Sequence, residues 1–183
     1  MTPKARMWAT IGGLAVLALA GSVAVFLLHL APFRTGSSDS TVPPSLQLES
    51  HGRTQTLRFQ RGARVREGLE LANDGMVPVE IVGFSLPPSE SLLSLAAVEM
   101  AKAGAGSGSD DPALRSFGPF TLSGGESRWV VLRLQMSGCH SVPRGSTTTV
   151  AAVDVTFRVF GIQRHQQISL PVTFEVARPK SCR

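Results

Sequence analysis

Apolar and polar residues alternate along three late stretches of the chain. In "WVVLRLQM", Val130, Leu132, Leu134 and Met136 alternate with Trp129, Val131, Arg133 and Gln135. In "VDVTFRVF", Val153, Val155, Phe157 and Val159 alternate with Asp154, Thr156 and Arg158, and "ISLPVTFEV" puts Ile168, Leu170, Val172, Phe174 and Val176 on one face. Each predicts a strand with one buried face. Gly161 between the last two predicts a long hairpin. Pro171 cannot donate to a ladder, which predicts an edge position or a bulge there. Earlier, 64–72 and 77–84 flank the turn residues Asn73, Asp74 and Gly75, while 46–49 and 56–60 are weaker strand candidates. Six to eight strands without alternating helices predict an all-β antiparallel sandwich over 46–183.

The pattern breaks between 85 and 116. "SESLLSLAAVEMAKAG" could begin as a strand but becomes Ala-rich and compatible with a helix, and "GAGSGSDDP" is low in complexity. A flexible insertion in the sandwich is the expectation for 85–116.

The N-terminus follows another logic. Residues 8–31, "WATIGGLAVLALAGSVAVFLLHLA", contain no Asp, Glu, Lys or Arg. About 20 apolar residues suffice for a helix to cross a bilayer, so this segment is expected to be a transmembrane signal-anchor helix. Ala18-Leu19-Ala20 before Gly21 offers the alternative of a cleaved signal peptide. Lys4 and Arg6 precede the run and only Arg34 follows it closely, which orients 1–7 to the cytoplasm and the rest outside. The expected localisation is a single-pass protein of the cell membrane. Residues 32–45, "PFRTGSSDSTVPPS", are rich in Pro, Gly, Ser and Thr and are expected to be a linker or stalk.

The two cysteines, Cys139 and Cys182, both fall on the exported side, outside any CxxC. In an oxidising compartment they are expected to form a structural disulfide, with two unpaired thiols as the alternative. The net charge is +5, and tyrosine is absent. With few aromatic platforms for bases and an exported domain, nucleic acid is not an expected partner.

The chemistry of "MSGCH" is mixed. Met136, Cys139 and His140 bring thioether, thiolate and imidazole together, a set that suits copper. Adjacent Cys and His on an extended chain point to opposite faces, so a turn with a disulfide is the stronger expectation. No HExxH, G-x-S-x-G, S-x-x-K or Walker sequence occurs. "LPVTF" lacks the glycine and hydrophobic tail of a sorting signal. The expectation is a protein that is not an enzyme and has no metal or cofactor. A small-molecule or metal carrier, or a hydrolase with dispersed site residues, is the alternative.

Arg53, Arg58, Arg61, Arg64 and Arg66 crowd one short segment. They are either gatekeeping charge on an edge strand or a binding site for an anionic partner such as lipid headgroups or acidic envelope polymers. Trp129 and Val131, on the polar-side phase of their strand, are the alternative apolar patch for a protein partner.

A strand ending in Asn73-Asp74-Gly75, then "PVEI", then Leu122, Gly125 and Glu126 in "FGPFTLSGGESRWVVLRL", resembles bacterial immunoglobulin-like domains. This is the group of PapD-like and ASPM/SPD-2/Hydin-type sandwiches. Asn tolerates and Gly permits left-handed backbone, so both suit a corner. The resemblance spans 46–178. It implies an Ig-like fold with Asn73, Gly75, Gly125 and Glu126 as structural turn residues, and no transferable activity. The whole layout is similar to uncharacterised single-pass proteins of actinobacterial type, which carry no activity to transfer. The stalk and the lack of catalytic motifs make a membrane-anchored interaction module of the cell envelope the expected function.

Overall fold

A computed structural model describes residues 32–87, 92–101, 114–139 and 142–179. The expected cytoplasmic segment 1–7 and transmembrane helix 8–31 lie outside these residues. Among the described residues no helix is long and apolar enough to cross a membrane.

All regular structure among the described residues is β. The strands are β1 (Phe33–Thr41), β2 (Gln47–His51), β3 (Thr54–Arg58), β4 (Arg64–Asn73), β5 (Val79–Ser85), β6 (Leu93–Ala101), β7 (Leu114–Ser116), β8 (Phe120–Leu122), β9 (Ser127–Met136), β10 (Thr147–Val159) and β11 (Ile162–Ala177). One sheet has the order β1-β4-β9-β6-β7 and the other β2-β3-β11-β10-β5-β8. Alternation sends Val65, Leu69, Leu71, Leu132 and Leu134 of the first sheet and Ile81, Val153, Val155, Phe157, Phe174 and Val176 of the second into one shared core. At about 25 cal/mol per Å² of apolar area removed from water, this inter-sheet layer is the main stabilising term.

The sandwich departs from the expected one in three places. First, the segment expected to be a stalk is the strand β1, paired antiparallel with β4 from Phe33↔Asn73 to Thr41↔Arg66. Only Phe33 of β1 is buried. Backbone bonds rather than apolar side chains hold this edge strand, so its composition reads as a linker. Phe33 anchors it by an edge-on contact with Phe157, ring centroids 4.8 Å apart. The Gln166 amide accepts from Phe33 N at 3.2 Å and donates to Phe33 O at 3.0 Å, tying β1 to the opposite sheet. The domain therefore begins at Phe33, not at 46.

Second, the supposed helix-compatible part of the 85–116 insertion is β6, paired with β9 on one side and β7 on the other. Its register slips between Leu95 and Ala97. That bulge shifts the alternation by one residue, so the apolar positions Leu93, Leu95, Val98 and Met100 acquire a spacing that mimics a helix. Residues 102–113 lie outside the described set. Third, the sheets are not wholly antiparallel, since Thr54–Arg58 of β3 runs parallel to Thr173–Ala177 of β11. Of the two expectations for Pro171, an edge position or a bulge, the bulge is the one found, since β11 is an interior strand. Pro171 is accommodated by a register shift, Val150 facing Phe174 while Ala152 faces Ser169. The missing donor thus falls in a bulge, as the proline requires.

The β10–β11 hairpin closes through Phe160 and Gly161, with φ of 50° and 78°. Two consecutive positive values match the twist of the flanking strands. The strand registers give the sandwich two poles. At the pole where the chain enters lie Phe33, the 74–78 turn, the 123–126 turn and the Phe160–Gly161 tip. At the far pole lie the 59–63 turn, the β9–β10 connection and the end of β11.

Candidate functional site at the two poles

Within an otherwise exposed corner, Asn73 is fully buried. Its side-chain NH2 shares two hydrogens among Val77 O (2.9 Å), Leu122 O (3.1 Å) and Ser123 O (3.2 Å), and its side-chain oxygen accepts from Gly75 N (3.0 Å). The backbone interlocks too, with Asn73 N donating to Glu126 O and Gly125 N donating to Asn73 O. Glu126 closes its own turn by accepting from Ser123 N at 2.8 Å, and Gly125 has φ 76°. Gly124 approaches the 75–76 backbone so closely that a Cβ there would sit 2.6 Å from Gly75 O. The four turn residues singled out from the sequence thus meet at one place, where they hold two turns together. Arg128 packs over the Phe120 ring at 4.7 Å beside them.

The arginines do not form one patch. Arg58, Arg61 and Arg64 are exposed at the far pole. Arg58 follows the inward-facing Leu57 and Arg64 precedes the inward-facing Val65, so these two flank opposite outer faces while Arg61 crosses the end. Together they ring the pole. Arg53 lies at the other end of β3, about 16 Å away at the usual rise per residue. Arg66 is half-buried and sits opposite Arg133, which pairs with Glu99 at 2.8 Å. Exposed Arg144, in the β9–β10 connection, joins the basic pole. Its distance in sequence from the others hid it. Among the described residues, none of Arg58, Arg61, Arg64 and Arg144 forms an ion pair.

Trp129 and Val131 are not an exposed patch. They are buried in a small second cluster with Ala101, with Leu114 packed on it. The indole lies over Gly68, where any Cβ would collide with it. The apolar alternative to the arginines therefore has to be sought elsewhere on the surface.

Of the candidate copper ligands, Met136 is buried and its sulfur accepts from Gln60 N at 3.2 Å. Cys139 is buried, whereas His140 and Cys182 lie outside the described residues. No group of three or more His, Cys, Asp or Glu side chains converges among the described residues.

Two carboxylates have unusual surroundings. Glu70 accepts from Ser127 Oγ at 2.6 Å and from Ser37 Oγ at 3.0 Å, and these bonds hold its carboxyl below the usual range. Glu67 lies inside the sandwich, in phase with Val65 and Leu69. Burial pushes its carboxyl up to about 7; the Ser40 hydroxyl opposes the shift, Asp39 adds to it and the Val172 backbone opposes it weakly. Ser40 and Val172 are near neighbours, but neither makes a well-formed hydrogen bond to a Glu67 oxygen.

A pH dependence follows. Between pH 4.5 and about 7 the folded state holds the Glu67 proton and the unfolded chain does not, so stability falls as pH rises through that window. At about 1.4 kcal/mol per pKa unit the part of this loss that falls between pH 5 and pH 8 is roughly 2–3 kcal/mol. Urea midpoints at pH 5 and pH 8 should show it, and Glu67→Gln should flatten the difference. Equal slopes in both proteins would mean that Glu67 is ionised throughout.

No family model and no curated protein matches the sequence. Among solved structures, similarity is found to the PapD-like domain 7 of human CEP192, with 14% identity over 77% of this chain and 91% of that one at a TM-score of 0.32. A protein from Corynebacterium diphtheriae described as membrane anchored shows 14% identity over 78% of this chain and 36% of that one, at a TM-score of 0.38. Spo0M, the sporulation control protein of Bacillus subtilis, shows 12% identity over 76% of this chain and 49% of that one, at 0.35. The strand order and shared core described above, rather than these likenesses, define the β-sandwich.

Proposed function

We propose that this chain is a membrane-anchored, extracytoplasmic Ig-like module of the cell envelope that binds an anionic envelope polymer through its basic pole. The carrying observation is the ring of Arg58, Arg61 and Arg64, joined by Arg144, at the end of the sandwich opposite the one where the chain enters. Exposed guanidinium groups without carboxylate partners attract polyanions and hold them by bidentate hydrogen bonds. The charge-free run 8–31 supports the anchor, and Lys4 and Arg6 support a cytoplasmic N-terminus. Binding rather than catalysis is the proposed role, with no metal or cofactor.

Binding of the full chain in nanodiscs to isolated anionic envelope polymer should weaken as salt rises, since exposed charges are screened beyond about 8–10 Å near physiological ionic strength. The triple change Arg58→Ser, Arg61→Ser and Arg64→Ser should weaken binding by at least about tenfold, equivalent to roughly 1.4 kcal/mol. Arg53→Ser should leave it unchanged, because that residue stands apart. Salt-independent binding, or a triple variant as strong as the parent, would reduce the ring to surface charge. Protease added outside spheroplasts should digest the sandwich while leaving the first 31 residues with the membrane. Release of a processed form beginning near Gly21 would remove the anchor.

A further inference from the structure

Among the described residues the large exposed apolar side chains are Leu48, Met76, Phe160 and Ile162. Leu48 lies on the edge strand β2, but the other three share a pole. Met76 precedes β5, and the pairing Arg158↔Glu80 brings the end of β10 beside the start of β5. The Phe160–Gly161 tip and the 74–78 turn therefore project side by side. Met76 is 97% exposed, Phe160 72% and Ile162 52%.

Neither core packing nor turn chemistry accounts for Phe160. Its ring belongs to neither buried cluster. Its backbone has φ 50°, where Asn, Asp or Gly would be the low-cost choice. A bulky aromatic at a strained, exposed tip implies that something other than this domain receives it.

The path of the chain identifies the receiver. Phe33, the first residue of β1, lies at this same pole opposite Asn73. In the sequence, Pro32 alone separates it from the apolar segment 8–31. With β1 starting there, no stalk intervenes between an anchor and the sandwich. Charge at the pole is largely paired off, Arg34 with Asp74 at 2.9 Å and Arg158 with Glu80 at 3.4 Å. Arg164, three positions after the tip's glycine, adds a cation suited to headgroup phosphates. Apolar tips among paired charges match the boundary between headgroups and acyl chains, where shallow insertion gains from burying apolar area.

We infer that this pole rests on the lipid bilayer, with Phe160, Ile162 and Met76 dipping into the headgroup region. The inference rests on the membrane anchorage proposed above. It also turns the arginine ring away from the protein's own membrane, so that anionic lipid of that bilayer is not the ring's ligand.

A photoreactive p-benzoylphenylalanine placed in the full chain in liposomes tests it. Position 160 conserves an exposed aromatic, position 76 provides an independent site, and position 144 at the far pole is the reference. Positions 160 and 76 should give several-fold more lipid adduct than position 144. Alkaline extraction is run in parallel. A chain that washes off the vesicles overturns both the anchorage and this inference. A chain that stays integrated, yet labels lipid equally from both poles, overturns the inference alone. So does a dominant adduct from position 160 to a second copy of the chain or to another protein.

Discussion

Asn73→Ala should destabilise the sandwich by about 3–5 kcal/mol, read as a fall in urea midpoint at unchanged slope. The side chain supplies hydrogen bonds to Val77 O, Leu122 O and Ser123 O and accepts one from Gly75 N. Leaving a buried polar group unmatched costs roughly 1–3 kcal/mol. The groups nearest the surface recover water, so the total stays below a simple sum. Asn73→Asp separates this explanation from a loss of packing. A carboxylate would turn a donor toward three carbonyls into a repelling acceptor, so this near-isosteric change should harm stability at pH 8 more than alanine does. Part should return at low pH as the acid takes up a proton. A loss below about 1 kcal/mol for alanine would show that the two turns hold without the amide.

Cys182→Ala is the second large effect. The pairing of Cys139 with Cys182 is a proposal supported by chain path. The end of β11 lies beside the start of β10 through Thr147↔Ala177, and Arg178 N donates to Ser146 O. Arg178, four positions before Cys182 in the sequence, therefore lies beside the connection that carries the buried Cys139. Cross-linking a loop of this length removes unfolded-chain entropy equivalent to about 4 kcal/mol, with about 2–5 kcal/mol as the usual range for losing a native bridge. Non-reducing peptide mapping should recover the two cysteines in one linked pair. Two free thiols would refute the bridge, and an unchanged midpoint in the variant would show that it contributes nothing.

Much of the sandwich was legible because one buried face writes itself as alternation. The β9, β10 and β11 sequences carry that signal over many residues, and the Asn73 and Gly125-Glu126 corners carry turn chemistry. Where the buried face is absent or broken, the signal fails. β1 contributes one buried side chain and otherwise backbone; β6 has its period reset by a bulge. The parallel placement of β3 depends on a distant strand and leaves no local trace. Glu67 could have been read from the phase of Val65, Leu69 and Leu71, which puts it on the inward face. Arg144 had no such signal, since only the fold brings it to the arginines.

The strand status of β1 also decides how the domain bears load. Held at Phe33 and pulled through a ligand at the basic pole, the sandwich would feel tension along its strands. Ladder bonds run across that direction, and β1 meets β4 through a register extending from Phe33↔Asn73 to Thr41↔Arg66. Tension would therefore shear the ladder as a block instead of peeling it open pair by pair. β10, at 13 residues, places the two poles roughly 40 Å apart. Under the proposed tethering and binding, the sandwich would act as a short strut whose hold on a polymer is tested by force as much as by dilution.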